Sequence, residues 1–268
     1  MEDQQKGQNK AAYRAMKILD FIAAEKRAVS ISELSKFLHI PKSSVFSLVY
    51  TLLDGKYLEM DSSTKTFKLG FKLFQAGVAY LSQVQFHQTA HPILHELMEL
   101  INDTVHLAVE DENHLVFIDS LEAEKSVVRS VSRLGRSQVP MYCSGLGKAI
   151  IASWSDEKIE QIYKDAEFKV YTRNTIKSFS ELMEHVRKIR QDGYALDDRE
   201  SNVDLYCTAC PIYDRTGEVI AAISASIPLS KLANRQEFVK KAVRDAALKI
   251  SLKLGYSQNV FYSEFTEE

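Results

Sequence analysis

The chain has 268 residues, of which 45% are hydrophobic and 26% charged, and its formal net charge is -2. These proportions exclude wholesale disorder, and the length predicts two domains that each form a hydrophobic core. No apolar run reaches the roughly 18 to 20 residues that span a bilayer, and the polar start MEDQQKGQNK lacks a secretory signal. Three cysteines are too few for a disulfide framework, which fits a reducing compartment. From these features together we expect a cytoplasmic protein without a membrane partner.

The charge is unevenly distributed along the chain. Residues 1–86 contain 12 lysines and arginines against 8 aspartates and glutamates, whereas the remaining residues contain 22 against 28. This N-terminal excess of positive charge permits binding to nucleic acid but does not by itself predict it.

Residues 11–69 predict three helices followed by a hairpin. The segment AAYRAMKILDFIAAEK has apolar residues at helical spacing. Ser30 and Glu33 stand in the relation of a capping box and predict the start of a second, short helix. Pro41 can begin a third helix over residues 42–53, since the first turn needs no backbone N–H from it.

The third predicted helix has one apolar face and an opposite face of small polar residues. A short loop before such a helix is typical of a helix-turn-helix, whose second helix enters the major groove of DNA. Three residues at its start are expected to bind phosphate: Lys42, Ser43 and Ser44. Two residues in its middle are expected to read base edges: Ser47 and Tyr50. Phe46, at its flank, is expected to pack or touch a thymine methyl.

Residues 57–61 and 66–69 predict two strands joined by the polar turn SSTK, which together would form a wing. Lys65 at the tip of this hairpin and Lys68 are candidates for contacts with the DNA backbone. A winged helix-turn-helix domain over residues 1–70 is therefore expected. The pattern alone leaves open a packing or dimerisation module built from the same elements.

A connecting helix is predicted over residues 71–86, where apolar residues recur every three or four positions, although the same pattern also fits a core helix. Beyond it, strand-like runs such as VHLAVED and HLVFIDSL alternate with turns and amphipathic helices. We expect a mixed α+β domain with a mostly antiparallel sheet over residues 87–256. Residues 257–268 lack a periodic pattern and predict a frayed tail.

Two motifs in this second domain point to ligand binding and also have structural explanations. The glycines of SGLGK precede a helix, where backbone N–H groups can approach an anion, but they also fit an ordinary turn. The spacing is not that of a phosphate-binding P-loop. Ser224 and Ser226 share one face of an apolar strand, where their hydroxyls could bond either a ligand or a neighbouring carbonyl.

Cys207 and Cys210 form a CxxC motif, which invites a metal or redox interpretation. Residues three apart in a strand point to opposite faces, and no second CxxC or paired histidine motif accompanies them. We therefore expect no metal site and no cofactor. A cysteine-dependent enzyme acting on a small acid stays an alternative, although no nucleophile elbow or triad signature frames Cys143 or Cys207.

The segment PKSSVFSLVYTLLDGKYLEMDSSTKTFKLGFKLFQAG resembles the IclR family of transcription regulators, through its Pro-Lys-Ser-Ser start, Leu52-Leu53, Gly55 and Leu69-Gly70. The segments VPMYCSGLGKAIIAS, DGYALDDRES and CTACPIYDRTGEVIAAISASIP resemble the GAF-like effector domain of the same family. The resemblance covers roughly residues 11–256. Ser47 stands where the family usually has an arginine in the recognition helix, and Tyr142 stands where many members have histidine.

This resemblance implies a pocket for a small oxo-acid in the second domain. Asp197 belongs to this implied pocket, and its carboxylate is unfavourable beside a ligand carboxylate unless it accepts a ligand hydroxyl or is protonated. The polar and glycine-containing part of the implied pocket consists of Gly145, Leu146, Asp197, Cys207, Ser224 and Ser226, and its apolar wall consists of Val128, Val131, Val139 and Leu205.

The expected function is that of a sequence-specific DNA-binding transcription regulator, a repressor rather than an activator, controlled by a small organic acid. Its expected partners are double-stranded DNA with an inverted-repeat operator, the acid, and further copies of the chain in a homodimer or dimer of dimers. Besides the enzyme, a DNA-binding protein without ligand sensing stays an alternative.

Overall fold

The computed structural model describes residues 9–83, 85–124 and 134–257. The chain divides into two compact units, residues 1–84 and 85–268. Val128, Val131 and most of the expected tail lie outside the described residues. Among the residues described, no helix combines the length and apolar character needed to cross a membrane.

The first unit is a winged helix. Its helices are α1 (Lys10–Glu25), α2 (Ile31–Leu38), α3 (Lys42–Asp54) and α4 (Phe71–Gln83), and its strands are β1 (Leu58–Asp61) and β2 (Thr66–Leu69). The capping box is present: Glu33 N–H donates to the Ser30 hydroxyl, and the Glu33 carboxylate accepts from Ser30 N–H.

Apolar side chains from all three leading helices and the hairpin form the core of this unit. They meet because each helix is amphipathic, and burying the apolar faces against one another is the main stabilising term. Val29 and Phe67 exchange backbone hydrogen bonds of 2.9 and 2.8 Å, so the segment between α1 and α2 pairs with the wing. The fully buried members of this core include Ile18, Leu34, Val45 and Val49.

The second unit is built on a six-stranded sheet in the order β5-β4-β3-β8-β7-β6. The strands are β3 (Thr104–Asp111), β4 (His114–Leu121), β5 (Gly135–Arg136), β6 (Ala195–Asp198), β7 (Leu205–Tyr213) and β8 (Val219–Pro228). All of the described strand pairs are antiparallel, which confirms the mixed α+β domain expected from the sequence.

Helices cover both faces of this sheet. One face packs against α5 (Gln85–Ile101) and α10 (Gln236–Lys253) through a cluster that includes Leu94, Leu107 and Ile223. The opposite face packs against a second cluster that contains residues of α6 (Gly145–Ile151), α7 (Asp156–Tyr163) and α8 (Phe179–Asp192). A short helix, α9 (Leu229–Leu232), links β8 to the start of α10.

Gly147 lets α6 lie directly on the preceding turn of the chain. A Cβ atom at this position would lie 2.3 Å from the Met141 carbonyl oxygen and 2.4 Å from Met141 Cα. We expect Gly147→Ala to lower the free energy of unfolding by about 3 kcal/mol, because backbone rather than a flexible side chain must move. The fluorescence of Trp154, the only tryptophan, reports denaturant unfolding of this unit.

The matched control is Gly77→Ala in α4, where a Cβ would meet nothing within 4 Å. It should leave the Trp154 transition unchanged, and it should stabilise α4 by up to about 1 kcal/mol through helix propensity. A Gly147→Ala transition at the wild-type denaturant concentration would show that the contact with Met141 relaxes easily.

Candidate DNA-binding and effector-binding sites

The exposed side of α3 carries most of the residues that are predicted from the sequence to contact DNA. Val45 and Val49 are buried in the core of the first unit and fix which side of the helix faces outward. Pro41 precedes the helix without a side-chain cap, so the first backbone N–H groups of α3 keep no side-chain partner from it. The exposed candidates on this helix are Lys42, Ser43, Ser44, Phe46 and Ser47.

Tyr50 lies differently from the expectation that it projects from the open polar face. Its ring stacks on Phe46 with centroids 4.1 Å apart and meets Phe67 edge-on at 6.3 Å. Its hydroxyl lies 4.0 Å from the Met60 sulfur. The wing therefore half-buries Tyr50, and Phe46 presents the outer, exposed ring of an aromatic pair.

The two wing lysines have different surroundings. Lys68 pairs with Glu59, its cross-strand neighbour, at 3.1 Å, so part of its charge is offset within the hairpin. Lys65 is exposed at the end of the turn and has a positive φ of 55°. The turn is held by Asp61, whose carboxylate accepts hydrogen bonds from Ser63 that lower its pKa.

The implied effector residues converge on the sheet face that α6 covers. Asp197 pairs with Cys207, and Cys207 pairs with Ser226, across three neighbouring strands. The Cys207 sulfur lies 3.2 Å from the Ser226 hydroxyl. Because side chains alternate along a strand, Ser224 points to the same face as Ser226, as the spacing of two predicted.

The start of α6 approaches this face closely because residue 145 is glycine. A Cβ there would lie 3.3 Å from Ala209 Cβ and 3.7 Å from Cys207 Cβ. Leu146 is buried beside it, and Val139 packs partly buried against the same cluster. Leu205 lies at the start of β7, opposite Pro228.

Asp197 already uses both carboxylate oxygens within the protein. Oδ1 accepts from the backbone N–H groups of Glu200 and Ser201 at 2.7 and 3.3 Å, and Oδ2 accepts from the Ser201 hydroxyl at 2.5 Å. Burial raises the pKa of Asp197, and these hydrogen bonds oppose the shift. Asp197 therefore holds the loop after β6 in place.

Sequence reasoning missed a buried ion pair between α6 and the loop after β6. The Lys148 ammonium is fully buried, contacts Glu200 Oε1 and lies 3.4 Å from His185 Nδ1. Burial raises the pKa of Glu200 to about 7, although Lys148 opposes the shift. A charged residue inside the apolar run GLGKAII was the available signal, but its partner lies 52 positions away in the sequence.

The three cysteines are poor nucleophiles in this structure. Burial raises the pKa of Cys143 and of Cys210 to about 12, and it also raises the pKa of Cys207. Nucleophilic attack needs the thiolate, which these shifts disfavour. Cys210 belongs to the cluster on the α5 side of the sheet, so the CxxC pair is split between the two faces, as its spacing predicted.

A winged helix joined to an α+β domain, in which polar side chains meet on one sheet face covered by a helix, is the architecture of a ligand-controlled transcription regulator. Residues 11–62 match the IclR helix-turn-helix domain, and residues 78–252 match the family described as Bacterial transcriptional regulator IclR C-terminal. The chain belongs to the IclR family.

Curated relatives and solved structures agree with this assignment. The chain is 33% identical over 240 residues to the regulator KdgR of Escherichia coli, with 88% of this chain and 90% of KdgR covered. It is 34% identical over 247 residues to the repressor AllR of Salmonella typhimurium, covering 91% and 90%. The IclR structure from Thermotoga maritima has a TM-score of 0.74 at 31% identity, covering 91% of this chain and 98% of that one.

A further structure shares the fold at 22% identity. It is an IclR homologue from Microbacterium hydrocarbonoxydans complexed with 4-hydroxybenzoate, with a TM-score of 0.81 and coverage of 91% of this chain and 99% of that one. The curated relatives are named as transcriptional regulators and repressors, which confirms a DNA-binding regulator rather than an enzyme.

Replacing Lys148 tests the importance of the buried pair. We expect Lys148→Met to lower the free energy of unfolding by roughly 3 kcal/mol, because Glu200 is left buried without its partner. The double variant Lys148→Met/Glu200→Leu should recover most of this loss, since an apolar pair of similar volume needs no charge compensation. Denaturant unfolding followed by Trp154 fluorescence measures both effects.

Lys188→Met is the control, because Lys188 is an exposed lysine on α8 and its loss should change the free energy of unfolding by less than about 0.5 kcal/mol. A cost for Lys148→Met as small as that of the control would show that the pair does not hold α6 to the loop after β6.

Proposed function

We propose that the protein is a repressor that binds an inverted-repeat operator through paired copies of α3 and changes its operator affinity when a small organic acid occupies the α6-side pocket. The observation that carries the proposal is the convergence of Asp197, Cys207, Ser224 and Ser226 with the glycine-led start of α6 on one sheet face. Since its target is chromosomal DNA, the protein acts in the cytoplasm.

The surface of α3 supports the proposed DNA contacts. Lys42, Ser43 and Ser44 form the first turn of the helix, where backbone N–H groups without a side-chain cap and a positive charge favour phosphate. Ser47, one turn further along, is the exposed candidate for reading a base edge. Phe46 offers an exposed apolar ring for a thymine methyl, and Tyr50 supports that ring from behind.

Lys65 and Lys68 extend this surface along the wing, where they would contact the DNA backbone beside the groove. A symmetric dimer, or a dimer of dimers, would present two copies of α3 to two half-sites of an inverted repeat. Each copy then contributes the same set of phosphate contacts.

The pocket chemistry supports a carboxylate ligand that also has an apolar part. Hydroxyl groups of Ser224 and Ser226 and the backbone N–H groups of Gly145 and Leu146 supply donors for an acid. Leu146, Val139 and Leu205, with Val128 and Val131 by resemblance, supply the apolar wall. The relative from Microbacterium hydrocarbonoxydans was solved with 4-hydroxybenzoate, an acid of this kind.

Lys42→Ala tests the DNA surface. We expect weaker binding to every DNA sequence and a salt dependence reduced by about one phosphate contact per bound α3, because Lys42 contributes charge rather than base readout. Ser47→Ala should instead change the preference between sequences. Mobility-shift titrations on the region upstream of the protein's own gene, at several salt concentrations, measure both effects.

Lys188→Ala removes the same charge from α8 in the second unit and should leave DNA binding unchanged. If wild-type protein failed to retard this DNA even at low salt, the proposed operator would be wrong. Equal effects of Lys42→Ala and Lys188→Ala would instead contradict the placement of the DNA surface on α3.

Ser226→Ala tests the pocket. We expect it to weaken binding of the effective acid by roughly 10-fold or more, because a hydrogen bond to a charged group is lost. Calorimetric titration of a panel of small organic acids, with 4-hydroxybenzoate among them, identifies the acid and measures the change. The same acid should alter the mobility shift of wild-type protein and have less effect on the variant.

Ser230→Ala, which removes the hydroxyl of an exposed serine on α9, is the matched control and should bind the acid as the wild type does. An acid that binds both variants equally well would place the ligand outside the proposed pocket. If no acid in the panel changed either binding or thermal stability, the proposal of a small-acid effector would fail while the DNA tests still stood.

A further inference from the structure

Two histidines and an aspartate meet on the α5 side of the sheet, on the face opposite the proposed effector pocket. His87 and His91 lie one turn apart on α5, and both reach Asp119 on β4. His87 Nε2 lies 3.1 Å and His91 Nδ1 lies 2.5 Å from the same oxygen, Asp119 Oδ2. All three potential ligand atoms lie within 4.8 Å of one another.

A β-bulge aims Asp119 at this face. Leu107 on β3 pairs with Asp119, but the next residue, Ala108, pairs with Phe117, so Ile118 is the additional residue on β4. Leu107 faces the α5 cluster, whereas Phe117 packs against the cluster on the opposite face. Bulges of this kind redirect side chains and often lie next to functional sites.

The surroundings of Asp119 leave one oxygen available as a ligand. Its Oδ1 accepts a hydrogen bond of 2.8 Å from the Ser120 backbone N–H, which fixes the orientation of the carboxylate. Its Oδ2 faces only the two imidazoles among its described hydrogen-bond partners. Metal-binding carboxylates are characteristically held in this way by a second hydrogen bond.

The three side chains of the cluster differ in their exposure to solvent. Asp119 is buried, His87 is half-buried, and the His91 side chain is 48% exposed. An ion bound between them would therefore be anchored on the sheet and open to solvent beside His91. Two imidazoles and one carboxylate with an open position form a typical ligand set for Zn²⁺ and related divalent ions.

We propose that His87 Nε2, His91 Nδ1 and Asp119 Oδ2 bind one divalent transition-metal ion, with Zn²⁺ as the best match. Around a tetrahedral Zn²⁺ ion, ligand atoms about 2.0 to 2.1 Å from the metal are roughly 3.3 Å apart. Asp119 Oδ2 lies 3.1 and 2.5 Å from the two imidazole nitrogens, both less than this value, so the histidine side chains on α5 would rotate outward to admit the ion. Such an ion would tie the first turns of α5 to β4 and stabilise the second unit.

Titration of Co²⁺ and Zn²⁺ into full-length protein that has been freed of metal by chelator dialysis tests this proposal. We expect one equivalent of Co²⁺ per chain to give the visible absorption bands of a tetrahedral site, without the near-ultraviolet charge-transfer band of a cysteine ligand. Zn²⁺ should displace the Co²⁺ and raise the thermal unfolding temperature of the wild type.

His91→Ala should weaken Zn²⁺ binding more than about 100-fold. Loss of a direct ligand lowers metal affinity at least as much as loss of a residue that only hydrogen-bonds to a ligand. His95→Ala is the matched control: His95 lies one further turn along the exposed side of α5, its side chain is 52% exposed, and its loss should leave the affinity unchanged. Asp119→Asn should abolish the tetrahedral spectrum, because the charged ligand is lost.

Because Asp119 is buried, Asp119→Asn must first show the far-ultraviolet circular dichroism of the wild type. If Asp119→Asn does not fold in this way, the result for the exposed His91→Ala variant decides the test. Three results would overturn the proposal. They are no tight binding to the wild type, equal affinities of the wild type and His91→Ala, and a thiolate band that assigns the ion to the cysteines.

Discussion

The buried contact between Lys148 and Glu200 is the constraint on which the α6 side of the sheet depends. Removing two opposite charges from water costs several kcal/mol for each ion, so the pair is tolerable only when its geometry is fixed. It joins α6 to the loop after β6, and the same loop is held by the carboxylate of Asp197 and by the Thr175 hydroxyl, which donates to the Glu200 carbonyl. A connected polar network therefore holds α6 and the loop after β6 together.

Local signals in the sequence predicted the first unit well. The capping box at Ser30 and the proline before α3 act over a few residues, so the third helix, expected over residues 42–53, is found as Lys42–Asp54. Tyr50 was misplaced because its neighbours are set by long-range packing. Helical spacing predicts which side of α3 carries Tyr50, but it does not predict that the wing covers this side.

In the second unit, the period of two along the strands was enough to place Ser224 with Ser226 and to separate Cys207 from Cys210. The Lys148 pair was not predictable, because nothing local in the sequence links it to a glutamate 52 positions away. The histidines on α5 have a visible spacing of four residues. Their meeting with Asp119, however, depends on a one-residue bulge that no periodic pattern reveals.

Both faces of the sheet are connected through His106. It pairs with Ser224 on β8, its Nδ1 lies 2.8 Å from the Ser120 hydroxyl, and Ser120 holds the Asp119 carboxylate. Burial lowers the pKa of His106 to about 4, so the imidazole is neutral at physiological pH. Contiguity alone does not establish coupling, since a ligand shifts an equilibrium only by its differential affinity for two states. If an acid at Ser224 weakens operator binding, the operator must weaken acid binding by the same factor, whichever residues transmit the effect.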